Sequence, residues 1–241
     1  SMIERCQASG FDALALTVDT IVSGKRERCL RSGFTTPPRF SASSLWSYAT
    51  RPRWTLDYVF GPNFRLPNLD GHVEEGSGKA VSIQDYFNTM LDINMDWDTA
   101  ARIRQDWGGP FALKGIMSVA DARRAVEIGA DAIIISNHGG RQLDGSRAPF
   151  DQLREIVDAV GGEIEIILDG GVRRGTHVLK SVAAGATAAS GGRLYLYALA
   201  AAGQAGVERA VNILKEEIER GMRLMGVTSL TQLTPDRLRR R

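Results

Sequence analysis

The chain has 241 residues, 43% hydrophobic and 24% charged, which excludes a disordered or fibrous protein and leaves room for one large domain with a sizeable core. A net charge of +2 and the lack of any recognition motif argue against a nucleic-acid partner, and Cys6 and Cys29 stand outside any CxxC pattern, so no metal site is expected and a reducing, cytoplasmic setting is the default. No leader-like opening is visible and no uninterrupted apolar run reaches about 20 residues, the Ala-rich stretch from Val182 to Gly203 being broken by glycines and Arg193.

In chain order, residues 1–10 read as the tail of a helix, with Ile3 and Cys6 apolar and Gly10 as the stop. A first strand follows over Ala13–Val18. Residues from about 21 to 95 then leave the rhythm of the rest. They hold Pro37-Pro38, Pro52, Pro62, Pro67 and the glycines between Gly71 and Gly78, and they read as a long functional excursion. Strands are predicted again over Pro110–Gly115, Ala132–Ser136, Ile164–Leu168 and, more weakly, near Ala186–Ser190. They are almost continuously apolar, as strands covered on both faces are.

Helices fall between them. Ser118 is placed to cap a helix over Val119–Ile128 that Gly129 ends. Leu153, Ile156, Val157 and Val160 share one face of a helix over Phe150–Val160, and another runs from Arg174 to Ala184. The last, Val207–Met225, carries Val211, Leu214, Ile218, Met222 and Met225 at helical spacing, which predicts a core-facing stripe. This alternation predicts βα units on a parallel sheet, with Gly129-Ala130 and Gly185-Ala186 marking the turn from helix to strand.

The chemistry-bearing residues sit where strands end. Ser136-Asn137-His138-Gly139-Gly140-Arg141-Gln142-Leu143-Asp144 puts a base and a cation in a glycine loop after an apolar strand. That arrangement suits proton abstraction from a small carboxylate substrate, since an arginine fork grips a carboxylate with two hydrogen bonds. Asp19 ends the first strand, and a carboxylate beside an imidazole fixes its tautomer. Lys114 closes a buried strand, so it faces an anion or a cavity, or serves as a structural ion-pair partner. Leu168-Asp169-Gly170-Gly171-Val172-Arg173 and Ser190-Gly191-Gly192-Arg193 are glycine turns with arginines, a pattern that lets backbone N–H groups and cations meet a phosphate. His72 and His177 lack such a setting.

These segments, SNHGGRQLD above all, resemble the FMN-dependent α-hydroxy acid dehydrogenase and oxidase family, whose members oxidise lactate, glycolate and mandelate. The resemblance covers nearly the whole chain. It implies a (β/α)8 barrel of which the last five βα units are present, with roughly three units upstream. It thus implies a single N-terminally incomplete barrel domain over 1–241, with an insertion at about 21–95 above the C-terminal face. It implies FMN as cofactor, held by Thr17, Lys114, Ser136, Asp169, Gly170, Gly171, Arg173, Gly192 and Arg193. His138 would be the base, Asp19 its partner, Lys114 the cation beside the flavin, and Arg141 and Arg26 the substrate clamps. The expected reaction converts an L-2-hydroxy acid, L-lactate foremost, with mandelate and glycolate as further candidates, to the 2-oxo acid. Proton abstraction with carbanion formation and hydride transfer both stay open, and so does the choice among dehydrogenase, oxidase and monooxygenase. A homo-oligomer is also expected.

Two other readings stand beside this one. A phosphate-binding barrel of another class explains the glycine loops but requires neither His138 nor Arg141. A truncated barrel that binds a partner or self-associates explains the low strand count. The insertion adds a localisation expectation. Leu45, Trp46, Tyr48, Trp54, Leu56 and Tyr58, near Arg51 and Arg53, suit a membrane interface and resemble the insertion of membrane-associated mandelate dehydrogenases. They suit equally a cover over the active site or packing on the barrel. The membrane reading predicts a peripheral enzyme on the inner face of the membrane that passes electrons to a quinone.

Overall fold

The computed structural model describes residues 2–32, 41–61 and 91–239. The prolines and glycines predicted as loop at 37–38, 62, 67 and 71–78, together with His72, lie outside the described residues. The chain divides into two compact units, one of Ser1–Lys25 with Asp92–Arg241, the other Arg26–Leu91.

The first unit is a parallel α/β structure. After α1 (Met2–Ala8) come β1 (Leu14–Thr17), β2 (Phe111–Lys114), β3 (Ala132–Ile135), β4 (Glu165–Asp169) and β5 (Ala188–Ser190). They pair in the order β1-β2-β3-β4-β5, every pair parallel. Sequential strands as sequential neighbours, each reached through a helix, form an arc of a barrel wall. The five strands lie within a residue or two of their predicted positions.

Two helices of the second unit, α3 (Ala42–Ala49) and α4 (Pro52–Phe60), follow the short α2 (Glu27–Arg31). In the first unit, α5 (Trp97–Trp107), α6 (Val119–Glu127), α7 (Pro149–Val160), α8 (Gly175–Ala183) and α9 (Arg193–Met225) follow. Ser118 caps α6 by accepting from the Asp121 N–H, and Gly129 beyond it has φ +75°, as the sequence predicts. Leu153, Ile156 and Val160 of α7 are buried against the sheet, whose Phe111, Leu113, Ile133, Ile135, Ile166 and Leu168 are also buried. At 0.8 kcal/mol or so per buried CH2, burial of these apolar side chains favours the packing of α7 on the sheet.

The helical run Arg193–Met225 is divided by non-helical residues at Ala202 and Gly203; the helix predicted over Val207–Met225 lies after that break, and a segment the sequence did not show precedes it. One expectation about this run is corrected. The stripe on its second half is only partly core: Leu214 is buried and Ile218 and Met222 pack with Leu179, whereas Val211 and Met225 are exposed. Part of the region read as a long excursion is helical, namely α2, α3 and α4.

Candidate active site

Each strand hands a functional group to the loop at its C-terminal end. Thr17 and Lys114 are register partners at the last positions of β1 and β2. Asp19 lies just past β1, Ser136 and His138 just past β3, and Asp169 ends β4. Four of the five parallel strands therefore bring together residues that are up to about 150 positions apart along the chain.

Ser136 is fully buried and connects this group. Its hydroxyl donates to Asp169 Oδ2 at 2.6 Å and accepts from Lys114 Nζ and the His138 N–H, each at 3.1 Å. A hydroxyl has one proton and two lone pairs, so this set leaves none for another ligand. Lys114 Nζ also lies 3.4 Å from Asp169 Oδ2, so both readings of this lysine meet: it is half-buried, faces an anion and forms an ion pair.

His138 Nδ1 stands 3.3 Å from Asp19 Oδ1. The second carboxylate oxygen, Asp19 Oδ2, is buried and has no hydrogen-bond partner among the described residues. A buried acceptor without a donor is costly, on the order of 1–3 kcal/mol, and such costs are kept at sites that receive a ligand or a proton. Asp19 also fills the space over Gly115, where a Cβ would lie 2.7 Å from the Asp19 Cβ.

The loop that carries His138 is unusual in its backbone. His138, Gly139 and Gly140 all have positive φ, at 56°, 68° and 69°, and His138 is the one non-glycine residue of this kind among the described residues. A histidine in the left-handed region is a strained placement that its surroundings must enforce. Three contacts do so. The Gly140 N–H donates to Asn137 Oδ1, Arg193 Nη2 donates to Gly139 O at 2.7 Å, and Gln142 holds the far end of the loop. A side chain at Gly139 would occupy the place of the Arg193 guanidinium, 2.6 Å from a Cβ there.

Beside this loop lies a cavity of about 480 Å3, lined in part by Asn137, Gly139, Gly170, Gly171, His177, Lys180 and Arg193. Among the described residues its lining holds no carboxylate. Cβ atoms at Gly171 and Gly192 would meet nothing within 4 Å, so neither turn is crowded on its side-chain face. A cationic rim and bare glycine backbone are the chemistry of a phosphate site. Arg173 is exposed and does not line the cavity; its backbone N–H donates to His177 Nδ1 at 3.1 Å. That bond uses His177 Nδ1 as an acceptor, a role that no sequence signal beyond its place four residues after Arg173 could have shown. Arg141 is exposed and forms no ion pair among the described residues. Arg26 is the first residue of the second unit, and the grouping described here is built from the first unit alone.

The donors fit a phosphorylated flavin. Asp169 and Lys114 offer an acceptor and a cation at the strand ends, and the cavity offers Arg193 and open glycine backbone for a phosphate. Known proteins agree with that chemistry. The L-lactate dehydrogenase of Alcaligenes faecalis is 41% identical over 98% of this chain, and that of Pectobacterium atrosepticum is 40% identical over 99%. The chain spans about three-fifths of the length of these curated relatives, 62% and 61%. Among solved structures, a monotopic membrane protein, (S)-mandelate dehydrogenase, superposes with a TM-score of 0.89 at 34% identity, covering 100% of this chain and 63% of that one. The flavin-binding domain of baker's yeast flavocytochrome b2 gives 0.72 at 32%, covering 98% and 49%. The family model described as FMN-dependent dehydrogenase matches residues 1–240, and the chain belongs to that family.

Proposed function

We propose that the protein of which this chain forms the site oxidises an L-2-hydroxy acid, L-lactate foremost, to the 2-oxo acid with FMN as cofactor. The observation that carries this reading is the Asp19–His138 pair at 3.3 Å beside the Lys114–Ser136–Asp169 cluster, all at the C-terminal ends of adjacent parallel strands. FMN, when bound, supplies a two-electron acceptor.

The protein side chains divide the remaining work. His138 takes a proton from the substrate, and Asp19 orients the imidazole through Nδ1 and stabilises its protonated form. Arg141, exposed and free of an ion pair among the described residues, binds the substrate carboxylate with its planar fork. Asp169 and Lys114 would hold the cofactor as an acceptor and a cation at the strand ends, and Thr17 stands at the same strand end. Gly170, Gly171 and Arg193 line the cavity and would hold the phosphate end, with Gly192 next to Arg193; Arg173, outside the lining, is left without that part. The hydroxyl of Ser136 is committed within the protein, so its part is to fix Lys114, Asp169 and the His138 backbone in place.

The proposed acceptor of the electrons is a quinone, reached from a peripheral position on the inner face of the membrane. Support comes from the exposed aromatic residues of α3 and α4 and from the likeness to a monotopic mandelate dehydrogenase. Stopped-flow reduction by L-lactate tests the catalytic assignment. His138→Ala is expected to abolish flavin reduction with the flavin still bound, by at least about a hundredfold for loss of a general base. Arg141→Lys is expected to raise KM and also lower the rate, because a lysine cannot grip a carboxylate bidentately. Reduction of the His138 variant at the wild-type rate would remove it as the base.

A further inference from the structure

Gln142 follows the proposed substrate arginine, yet its side chain turns to main-chain atoms about 120 residues away in sequence. Its Nε2 donates to Asp19 O at 3.0 Å and to Val22 O at 3.1 Å. Its Oε1 accepts the Gly24 N–H at 3.4 Å. The amide thus uses both its donors and an acceptor on one short segment, residues 19–24. Asp19 is held at both ends by the loop after β3: its carboxylate by His138, its carbonyl by Gln142.

Packing reinforces this clamp. Gly24 sits so close to the loop that a Cβ there would lie 2.2 Å from Arg141 O and 2.8 Å from the Gln142 Cα. The two segments are therefore seated backbone against backbone, with the Gln142 amide bridging them. We infer that Gln142 is a positioning residue: it sets the reach of Asp19 to His138 by fixing the backbone of residues 19–24 against the catalytic loop. This rests on the reading of His138 as a base for its effect on rate, but not for its effect on structure.

The shape-preserving variant Gln142→Met removes all three hydrogen bonds. In the intact protein, amides of residues 19–24 are expected to exchange with deuterium at least about tenfold faster, while those of α6 and α7 keep their rates. Unchanged exchange at 19–24 would overturn the inference, whatever the activity. In the FMN-loaded protein, the same substitution is expected to slow reduction by L-lactate about tenfold, but less than about twofold when made in an Asp19→Asn background, because a residue acting through Asp19 has nothing left to position. Losses that multiply in the double variant would also overturn it. Gly24→Ala attacks the same seating from the other side and is expected to reproduce both effects; wild-type exchange and rate in that variant would count against the clamp. If the loaded wild-type protein is not reduced by any 2-hydroxy acid, the functional reading fails, and the exchange measurement alone decides the role of Gln142.

Discussion

Ser136 commits its one proton and both lone pairs to three residues from three different strands or their loops. Replacing it by alanine keeps the shape but leaves Asp169, Lys114 and the His138 N–H each one partner short in a buried setting. The expected loss is about 1–3 kcal/mol of stability, measurable as a lower midpoint in urea, with weaker flavin retention beside it. A wild-type midpoint would show that water replaces the hydroxyl without cost and that Ser136 is no hub. Asp19, His138, Lys114 and Asp169 were legible in the sequence because a charged residue at the end of an apolar strand is conspicuous. The parallel pairing then brings them together without further instruction. Gln142 and His177 were not legible, since each bonds main-chain atoms, and a backbone N–H or carbonyl leaves no mark in the sequence. The positive φ of His138 was hidden as well: glycines on its C-terminal side announce a turn, not which residue bears the strain.

Among the elements, the junction of α8 with α9 carries a second testable device. Glu217 on α9 accepts from Arg174 Nη1 and from the Gly175 N–H, each at 2.7 Å, so a side chain of one helix caps the first turn of another. The Arg174 guanidinium, then the Gly175 N–H, hold the Glu217 carboxyl below its ordinary pKa. A depressed carboxylate contributes stability that is complete above its unfolded pKa and is lost as pH falls through the lower folded value. Glu217→Gln is therefore expected to cost about 1–2 kcal/mol at neutral pH. The gap to wild type should close under acid conditions below the ordinary carboxylate range. A gap that stays constant with pH would mean that the cap works through shape alone. Gly175 has to stay glycine for this contact, because a Cβ there would lie 2.6 Å from Glu217 Cβ. The sequence showed α6, α7 and α8 through caps, apolar faces and stopping glycines. It concealed the first half of α9, where Leu194 to Ala201 is too uniformly apolar to display a face. It also concealed α5, whose Asp96 cap lies against a stretch dominated by turn residues.

For the whole molecule, the open question is what the second unit does with its apolar surface. On α3 and α4, Tyr48, Trp54 and Tyr58 stack in series, with ring centroids 5.6 and 5.3 Å apart and planes within 6°. Trp54 and Tyr58 are one helical turn apart, which explains half of that stack from sequence spacing. Around it Trp46 and Phe60 are 72% and 82% exposed, and Leu45, Leu56 and Val59 are exposed too. Arg51 and Arg53 add positive charge nearby, and both are exposed. No helix among the described residues is long and apolar enough to cross a membrane. A large aromatic side chain moved out of water contributes about 1.5–3 kcal/mol, so two of them account for roughly a hundredfold to ten-thousandfold in binding. Flotation of the intact protein with anionic liposomes is expected to carry it upward. Replacement of Trp46, Trp54 and Tyr58 by serine is expected to leave it at the bottom of the gradient while L-lactate still reduces the flavin. High salt should weaken the wild-type binding in part, because the arginine contribution is screened and the aromatic one is not. Equal flotation of the triple variant would assign these side chains to the protein's own packing. Rapid peroxide formation in air, with little reduction of an added quinone, would make the enzyme an oxidase and remove the reason for it to meet a membrane.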